Sequence, residues 1–371
     1  MTRGPARRPI QADVARLAGV SQTTVSLVLN ERDAGVRISP ATRERVLSVI
    51  RELGYVANAS ARSLAGGRNR IIGVYTFEPV FPTTSLDFYF PFLLGMEQEA
   101  AELGYDLLLF TGVAGGRQIF RDGSTRLALA DGALLLGRYP NVEEIEQLRD
   151  SGYPFVYVGH REVSGPPIPY VAADYARATQ RLTERLFEVG HERVVYARIG
   201  NGDAQPSRDR EKGFRRAVPA GDLRRPVGPV WTLESPDEVA GLLAEIRRAG
   251  VTAVVAEQHV LAQELLACGE RQGMSVPGDL SIVVLGDSTG ARGDDTPWTG
   301  LVVPREQMGR QATRLLVRLL KPAEEAEATE AAQCESAECP LVPGATVAPP
   351  PVPSRQRRPR RQPRQTRVST S

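Results

Sequence analysis

Short apolar stretches and amphipathic segments alternate along most of this sequence, and this alternation limits the folds it can adopt more than any other feature. Nearly continuous apolar strands separated by helices indicate parallel, doubly wound sheets. About 280 residues of this pattern exceed what one sheet usually holds, so two α/β subdomains are expected. Strands are predicted at Ile71–Phe77, Tyr105–Thr111, Ala133–Leu136, Pro154–Val158, Tyr170–Ala173, Arg193–Ile199, Val251–Ala256, Leu280–Leu285 and Gly300–Val303. Helices are predicted at Phe92–Leu103, Val142–Asp150, Ala176–Val189, Arg208–Val218, Pro236–Ala249, Leu261–Gln272 and Arg305–Leu320.

Charge is distributed unevenly along the chain. Residues 1–70 contain twelve arginines and five acidic residues, and residues 350–371 contain seven arginines and no acidic residue, although the net charge of the whole chain is only +2. The middle of the chain is therefore acidic. A basic end on an acidic body is typical of a protein whose end binds nucleic acid, while a solvated basic segment is the alternative that charge alone leaves open.

Three short helices are predicted in the basic N-terminal end. Gln11–Ala18 is followed by a Gly-Val break, and Ser21 is a good N-cap for a second helix over Gln22–Asn30. A third helix starts at the Ser-Pro pair at 39–40 and stops at Gly54. Two short helices around a glycine-containing turn form the helix-turn-helix pattern, whose second helix contacts base edges in the major groove. A small helical bundle that binds nothing is the alternative.

Three segments of the sequence resemble the lactose-repressor family of bacterial transcriptional regulators: DVARLAGVSQTTVSLVLN, RISPATRERVLSVIRELGYVANASARSLAGGR and IIGV. The resemblance implies a small all-α helix-turn-helix headpiece, a hinge helix that forms on DNA, and a periplasmic-binding-protein-like α/β core of two doubly wound subdomains. It also implies that Leu64 wedges between base pairs in the minor groove, whereas a flexible linker is the alternative for the hinge. The candidate DNA-binding residues are Ser21, Gln22, Thr23, Thr24, Ser26, Asn30, Asn58, Ala61 and Leu64.

Two headpiece positions depart from this family. Leu27 stands where the lactose repressor has an arginine that reads a base, so a different operator preference is expected. Ile10 stands where many relatives have a threonine cap that faces Asp13, and the loss of such a cap typically costs ~1 kcal/mol. The sequence therefore predicts a somewhat weakened headpiece.

The resemblance divides the chain into a headpiece at 8–57, a hinge at 58–69, a core at 70–349 and a disordered basic tail at 350–371. Within the core, an N-subdomain is predicted at about 70–165 plus 297–320, and a C-subdomain at about 166–296 plus 321–349, with a ligand cleft at the carboxyl ends of the strands. The tail is rich in proline and arginine, which favours disorder.

Ligand-binding residues of the core follow from the resemblance. R-E-K-G-F at 210–214 matches the family pattern R-x-x-G-F/W, so Arg210 is expected to hold effector hydroxyls or a carboxylate. A helix-surface salt bridge with a neighbouring acid is the alternative for Arg210. The other candidate effector-binding residues are Asp287, Gln258, His259, Phe77, Phe88, Arg161 and Trp231. Tyr89 and His160 are further candidates for the cleft wall, with core or surface packing as the alternative.

The acidic and amide positions of the family cleft are altered. The family has Ala-Asn-Asp near AEQH at 256–259 and Gly-Tyr/Phe-Asp-Asp near VLGD at 284–287, so Gly286 takes the place of the first of two aspartates. The expected effector is a sugar or related metabolite. A cleft that binds nothing, with control by a protein partner, is the alternative.

An enzyme is the competing class that the residues themselves suggest. GDSTG at 286–290 reads G-x-S-x-G after an apolar strand, the position of a nucleophile elbow. That mechanism needs a histidine later in the chain, yet His160, His191 and His259 all precede Ser288. The first core strand leads into no G-x-G-x-x-G, which disfavours a dinucleotide enzyme. We therefore predict no catalytic residue, with a serine hydrolase as the remote alternative.

No metal site or cofactor is predicted, because histidine and cysteine show no metal-ligand spacing. The cysteines Cys268, Cys334 and Cys339 are too few and too scattered for a disulfide framework. No signal peptide and no run of about 20 apolar residues is found, so a cytoplasmic protein without a membrane partner is expected. The predicted partners are a pseudo-palindromic DNA operator, a small-molecule effector and a second copy of the chain.

Overall fold

The structure, a computed structural model, describes residues 9–30, 38–55, 69–79, 86–111, 118–121, 123–217, 230–286, 295–321 and 334–351. Its internal contacts divide the chain into two compact units, Met1–Ile71 and Ile72–Ser371. The predicted hinge at 58–69 and basic tail at 350–371 lie almost wholly outside the described residues.

Among its described residues, the first unit contains three helices, α1 (Gln11–Ala18), α2 (Gln22–Asn30) and α3 (Pro40–Leu53). These bounds confirm the helices predicted from caps and glycines. Ser39 caps α3 by accepting from the Thr42 amide, and Gly19 and Gly54 end α1 and α3 with positive φ angles of 63° and 60°. The three helices share one apolar centre, made by Val14, Ala15, Ala18, Val25, Val28 and Val46.

The second unit alternates strands and helices, as the hydrophobic pattern predicts. The strands are β1 (Ile71–Thr76), β2 (Asp106–Phe110), β3 (Phe120–Arg121), β4 (Ser124–Thr125), β5 (Gly132–Leu136), β6 (Phe155–Val158), β7 (Tyr170–Ala173), β8 (Val194–Ile199), β9 (Val230–Leu233), β10 (Ala253–Ala256), β11 (Ser281–Val284), β12 (Thr299–Leu301), β13 (Cys334–Ala337) and β14 (Leu341–Val342). The helices are α4 (Leu86–Glu102), α5 (Val142–Asp150), α6 (Tyr175–Val189), α7 (Gln205–Ala217), α8 (Val239–Ala249), α9 (His259–Arg271) and α10 (Arg305–Leu319). The strands β3, β4, β9, β13 and β14 were not predicted.

The nine predicted and five additional strands form two six-stranded sheets and a short β3–β4 hairpin. The first sheet has the order β13-β7-β6-β5-β1-β2 and the second the order β14-β12-β11-β10-β8-β9. The neighbours β1–β5, β5–β6, β8–β10 and β10–β11 are parallel, and β12–β14 is antiparallel. Every residue of β5, β6, β10 and β11 is buried, which explains why these strands read as continuous apolar runs.

The boundaries between the two halves differ from the predicted ones. Tyr170–Ala173 was assigned to the C-subdomain but pairs with β6 in the first sheet, and Thr299–Leu301 was assigned to the N-subdomain but pairs with β11 in the second. The segment after 321 contributes β13 to the first sheet and β14 to the second. The chain leaves the first sheet after β7 and the second after β12, each of which lies next to an edge strand, and the local apolar pattern does not indicate where these crossovers occur.

Helix α10 belongs to the first half, where it packs closely against α4. A Cβ on Gly309 would lie 2.3 Å from the Phe92 carbonyl oxygen, so glycine is required for this approach. The buried carboxylate of Glu99 accepts two hydrogen bonds from Arg314, each 2.6 Å long. This packing fixes the start of α10, and with it Arg305, beside α4. Within the described residues, no helix is both long and apolar enough to cross a lipid bilayer.

Candidate nucleic-acid interface and ligand cleft

The outward face of α2 is polar because its inward face is fully packed. Val25 is 0% exposed and Val28 is 3% exposed, whereas Ser21, Gln22 and Thr23 are exposed. The Ser21 hydroxyl accepts from the Thr24 amide at 3.0 Å, so it caps the first turn. A capped helix start with exposed amide and hydroxyl side chains is suited to contact base edges.

Thr24 has a structural role in the same turn. Its hydroxyl lies 2.9 Å from the Ser21 hydroxyl, and its side chain is half-buried. Ser26 is also half-buried, whereas the side chain of Asn30 and the hinge residues Asn58, Ala61 and Leu64 lie outside the described residues. The most accessible of the predicted DNA-binding side chains that the structure describes are therefore those of Ser21, Gln22 and Thr23.

The arginines of α3 have partners inside the headpiece. The Arg45 Nε donates to the Ala18 carbonyl at 2.9 Å, which ties α3 to the end of α1. Arg51 pairs with Glu44 at 2.7 Å, and both side chains are about 70% exposed. Because this pair is exposed, Arg51 can leave Glu44 to contact solvent or a phosphate. Arg45, by contrast, is already hydrogen-bonded to the end of α1.

The start of α1 shows how the chain replaces a missing cap. Ile10 has no side-chain oxygen, but the Asp13 carboxylate accepts from the Ile10 amide at 3.0 Å. One half of the reciprocal capping arrangement is therefore kept. The loss of headpiece stability expected from Ile10 is therefore limited to the one hydrogen bond that a threonine hydroxyl would accept.

A cavity of about 570 Å³ opens between the two halves of the second unit. One wall comes from α4 and from the loop after β5, and the opposite wall from the carboxyl ends of β8, β10 and β11 and from the starts of α7 and α9. Its volume is within the range of ordinary small-molecule sites. The cleft therefore lies where doubly wound sheets bind ligands.

Arg210 reaches this cleft from the second turn of α7. Its guanidinium carbon lies 4.0 Å from the centre of the Tyr175 ring, and its Nε is buried with no hydrogen-bond partner among the described residues. The neighbouring acid Glu211 pairs instead with Arg198 and Arg215, each at 2.7 Å. No carboxylate of the described residues pairs with Arg210, since Glu211 pairs with Arg198 and Arg215 and Asp209 lies beside His160, and this disfavours the salt-bridge alternative.

The glycine of the R-E-K-G-F segment has a packing role. A Cβ on Gly213 would lie 2.2 Å from the Ala176 carbonyl oxygen, so only glycine allows α7 to approach α6 this closely. Phe214 next to it is fully buried, and its ring centre lies 5.4 Å from that of Tyr196. Gly213 and Phe214 thus anchor the helix that presents Arg210.

A buried carboxylate forms part of the cleft floor. Glu257 is 6% exposed and accepts hydrogen bonds from the Tyr196 hydroxyl at 2.5 Å and from the Ser207 hydroxyl. Burial, and then the nearby Glu257 charge, raise the pKa of Tyr196 well above its usual range, so the phenol stays protonated and donates. Gln258 does not offer its amide to a ligand, because it donates to the Ile199 carbonyl and accepts from the Ile199 amide.

The wall from the first half is aromatic and basic. The guanidinium carbons of Arg138 and Arg305 lie 5.3 Å and 5.2 Å from the centre of the same Phe88 ring. Arg138 is exposed at the cleft edge, whereas Arg305 is only 7% exposed. Such contacts orient the two cations over the ring face.

A smaller cavity of about 50 Å³ adjoins the cleft behind Phe88. Arg161 lines it and donates to the Arg138 carbonyl at 2.8 Å. His160 lies 3.8 Å from Asp209, which joins the first half to α7 of the second. Burial alone would raise the pKa of Asp209, but hydrogen bonds from His160 and Gln205 outweigh it and hold that pKa below its usual value.

Comparison with known proteins identifies the family. Residues 12–58 match the family described as bacterial regulatory proteins, lacI family, and residues 183–347 match the periplasmic binding protein-like domain. The HTH-type transcriptional regulator CelR of Thermobifida fusca is 34% identical over 318 residues, which cover 84% of this chain and 92% of that protein. The chain belongs to the lacI family of bacterial regulatory proteins.

Solved structures agree with this assignment of the lacI-family regulator. A structure described as a transcriptional regulator CelR–cellobiose complex matches with a TM-score of 0.58 and 29% identity, over 91% of this chain and all of that chain. The lac repressor dimer bound to operator matches with a TM-score of 0.67 over 92% of this chain and all of that chain, and at 20% identity it shows the fold alone. The predicted fold class and DNA-binding regulatory function are confirmed, and the serine hydrolase and protein-partner alternatives gain no support.

The predicted effector-binding residues separate into two groups. The cleft lining includes Phe88, Arg210, Gln258 and His259, and Arg161 lines the adjoining cavity. Phe77 and Trp231 line neither cavity. Phe77 packs edge-on against Tyr75, and Trp231 packs against the apolar cluster beneath β9, so their core-packing alternative describes them better. Tyr89 is likewise buried and donates to Glu78, and Asp287 lies outside the described residues.

The cleft residues missed from the sequence include Arg138, Tyr175, Glu257 and Arg305. Three of them directly follow a strand or begin a helix, and these are the positions that face the carboxyl edge of a parallel sheet. Polar residues at such positions could have been picked out by that rule. Among the part of the chain that is described, no group of histidine, cysteine and acidic side chains is arranged to hold a metal ion.

Proposed function

We propose that this lacI-family regulator acts in the cytoplasm as a homodimer that represses transcription from a pseudo-palindromic operator. In this proposal its operator affinity is controlled by a sugar bound in the cleft. Family membership supports the regulatory role. The observation that carries the effector control is the cleft of about 570 Å³ into which Arg210 projects without an ion-pair partner among the described residues.

The DNA side of the proposal rests on α2. Gln22 and Thr23 enter the major groove in this proposal, with Ser21, Thr24, Ser26 and Asn30 as their neighbours on the same helix. A glutamine amide pairs with adenine, and a threonine methyl contacts thymine. Asn58, Ala61 and Leu64 enter the minor groove at the operator centre.

The effector side rests on the cleft wall and on a relative. Phe88, Arg210 and His259 line the cleft, and the related regulator CelR is described in complex with cellobiose. A cleft of this size holds a mono- or disaccharide. We therefore propose a sugar as the effector, with Arg161 and Asp287 as further candidates at its edges.

Genomic-fragment selection with the purified full-length protein, at near-physiological salt, tests the operator. We expect one palindromic motif to be recovered, with a flexible pyrimidine–purine step at its centre. Recovery of fragments that share no motif would contradict sequence-specific binding and would leave only a general affinity of the arginine-rich ends for phosphates.

The Leu64→Ser variant tests the minor-groove wedge. We expect its affinity for the selected operator to fall at least tenfold while its affinity for unrelated DNA changes less, because the wedge is used only on kinked operator DNA. Leu103→Ser, a change at an exposed leucine of the second unit, is the matched control. Unchanged operator affinity in Leu64→Ser would remove the wedge from the proposal.

A further inference from the structure

We propose that the effector of this cleft is an anionic sugar, one that carries a carboxylate or a phosphate; this inference rests on the sugar control proposed above. The cleft presents more cationic and hydrogen-bond-donating groups than a neutral sugar requires. Three features of the described residues lead to this conclusion: the guanidinium groups, the carboxylates that surround them, and the helix ends that open on the cleft.

Three guanidinium groups converge on the cleft from both halves. Arg138 and Arg305 come from the first half and lie over the same Phe88 ring, and Arg210 comes from the second half and lies over Tyr175. Two like charges held on one ring repel each other, so their energy falls when an anion is bound between them. The aromatic contacts hold Arg138 and Arg210 in position without neutralising their charge.

The carboxylates near these arginines accept hydrogen bonds from other groups, Glu78 from the backbone amides of Arg138 and Tyr139. Glu257 accepts from Tyr196 and Ser207, and Asp209 accepts from Gln205 and lies beside His160. Within the part of the chain that the structure describes, neither Arg138 nor Arg210 forms an ion pair. The protein's own acids therefore leave these two cations available to a ligand.

The remaining acid of the lining does not change this balance. Asp203 is exposed on the loop before α7, and its carboxylate accepts from the Asn201 side-chain amide. Together with Glu257, it gives the described lining two carboxylates against the three guanidinium groups of Arg138, Arg210 and Arg305. The described lining therefore keeps a net positive charge.

Two helices that begin in the cleft lack a side-chain cap. Helix α9 starts at His259 and α10 starts at Arg305, and the side chain of neither N-cap residue, Gln258 or Pro304, accepts a hydrogen bond from the first turn. Away from the cleft, Asn141 caps α5 in the ordinary way. Unsatisfied amides at a helix start carry partial positive charge and favour an anion.

The donor and acceptor balance points in the same direction. Arginine side chains and backbone amides only donate, and the Gln258 amide is used by Ile199. Sugar hydroxyls bind best to sites that offer acceptors as well as donors, whereas carboxylate and phosphate oxygens only accept. An arginine fork binds either anion through two parallel hydrogen bonds.

Two matched pairs of sugars test the inference on the full-length protein by isothermal titration calorimetry. The pairs are cellobiose with cellobionate, which differ by a carboxylate, and glucose with glucose 6-phosphate, which differ by a phosphate. We expect the anionic member of at least one pair to bind ten times more tightly than its neutral partner, with the advantage shrinking as salt is raised. The pair that shows the preference identifies the anionic group.

The Arg138→Gln variant tests whether the cleft cations cause the preference. Because Arg138 is exposed, its replacement leaves the core packing unchanged, and we expect the anionic sugar to lose at least tenfold in affinity while the neutral one loses little. Arg138→Lys should keep much of the preference. Arg185→Gln, which removes an exposed arginine paired with Glu188 on α6, is the matched control and should behave as the parent protein.

The possible failures are distinguishable. Equal binding of the neutral and anionic members, unchanged in Arg138→Gln, would overturn the anionic inference and leave the sugar control in place. If none of the four sugars binds to a preparation that still binds its selected operator, the sugar control itself is contradicted, and the anionic inference fails with it.

Discussion

The headpiece and the cleft place their functional side chains in different ways. In the headpiece, Gln22 and Thr23 project from one turn of α2, whose opposite face is packed. In the cleft, Arg138, Arg210 and Arg305 come from separate elements that meet only after both sheets have formed. The functional face of the headpiece is a local property of nine residues, whereas that of the cleft depends on the whole second unit. Substitutions on the headpiece face should therefore change DNA binding without changing the free energy of unfolding. Substitutions beneath the cleft should change ligand binding and the free energy of unfolding together.

The largest expected effect tests the core beneath the cleft. Phe214→Ala should lower the free energy of unfolding of the second unit by about 3–5 kcal/mol, since it empties a fully buried ring site against Tyr196. Urea unfolding of the full chain measures this loss. Tyr139→Ala, at a ring that is 63% exposed in the cleft wall, is the control and should change it by less than about 0.5 kcal/mol. A matching loss in the headpiece transition would contradict the independence of the two units.

Gln22→Ala tests the opposite behaviour in the headpiece. We expect it to reduce discrimination between the selected operator and a singly substituted one by about 1–3 kcal/mol. Its free energy of unfolding should stay within about 0.5 kcal/mol of the parent, because the side chain is exposed. Fluorescence anisotropy with the two DNA duplexes gives the discrimination, and Gln147→Ala on α5 is the control. If Gln22→Ala unfolds more easily than the parent but still discriminates equally well between the two duplexes, the proposed contrast between the headpiece and the cleft is wrong.

Ser21→Ala gives a smaller effect on the headpiece alone. The Thr24 amide would lose its acceptor, and such a loss typically costs ~1 kcal/mol. Circular dichroism should show the headpiece transition at a lower temperature, with the core transition unchanged. Ser48→Ala, at an exposed position within α3, should show no loss, because alanine is the better helix former there.

The smallest expected effect is a pH dependence confined to the core. Burial lowers the pKa of His191 below 6.5, so the unfolded chain gains a proton as the pH falls below about 6.5 while the folded core does not. Core stability should therefore be full above about pH 6.5 and decline as the pH falls below it, and His191→Gln should flatten the decline. The three histidines all lie in the core, so the headpiece transition should not move over this range. A decline of the headpiece alone would contradict this assignment.

The sequence predicts local features of the molecule better than features that depend on distant parts of the chain. The bounds of α1, α2 and α3 were predicted because caps, glycines and valine spacing act within one or two turns. The central strands were predicted because burial on both faces makes them continuously apolar. The edge strands β13 and β14 were not, since a short strand at a sheet edge needs no such run and its pairing is decided by distant residues.

The cleft shows the same limit at the level of side chains. Arg210 was expected in the cleft because R-E-K-G-F at 210–214, all on one helix, resembles the family pattern R-x-x-G-F/W. Arg138 and Arg305 were not, because they are far apart in the chain and share only their contact with Phe88. Phe77 and Trp231 were placed in the cleft from residue type alone, and the sheet turns them toward apolar neighbours. The local sequence indicates which face of its helix or strand a residue occupies. It does not indicate which other helix or strand packs against that face.

The segment after α10 has a consequence for truncation and fusion. Cys334–Ala337 adds an edge strand to one sheet, and only a few residues later Leu341–Val342 adds an edge strand to the other. A chain shortened to end before Cys334 would thus expose unpaired backbone on both halves at once, and exposed strand edges recruit other chains. Reporter tags for studies in cells therefore belong beyond residue 351, where they leave both sheet edges covered.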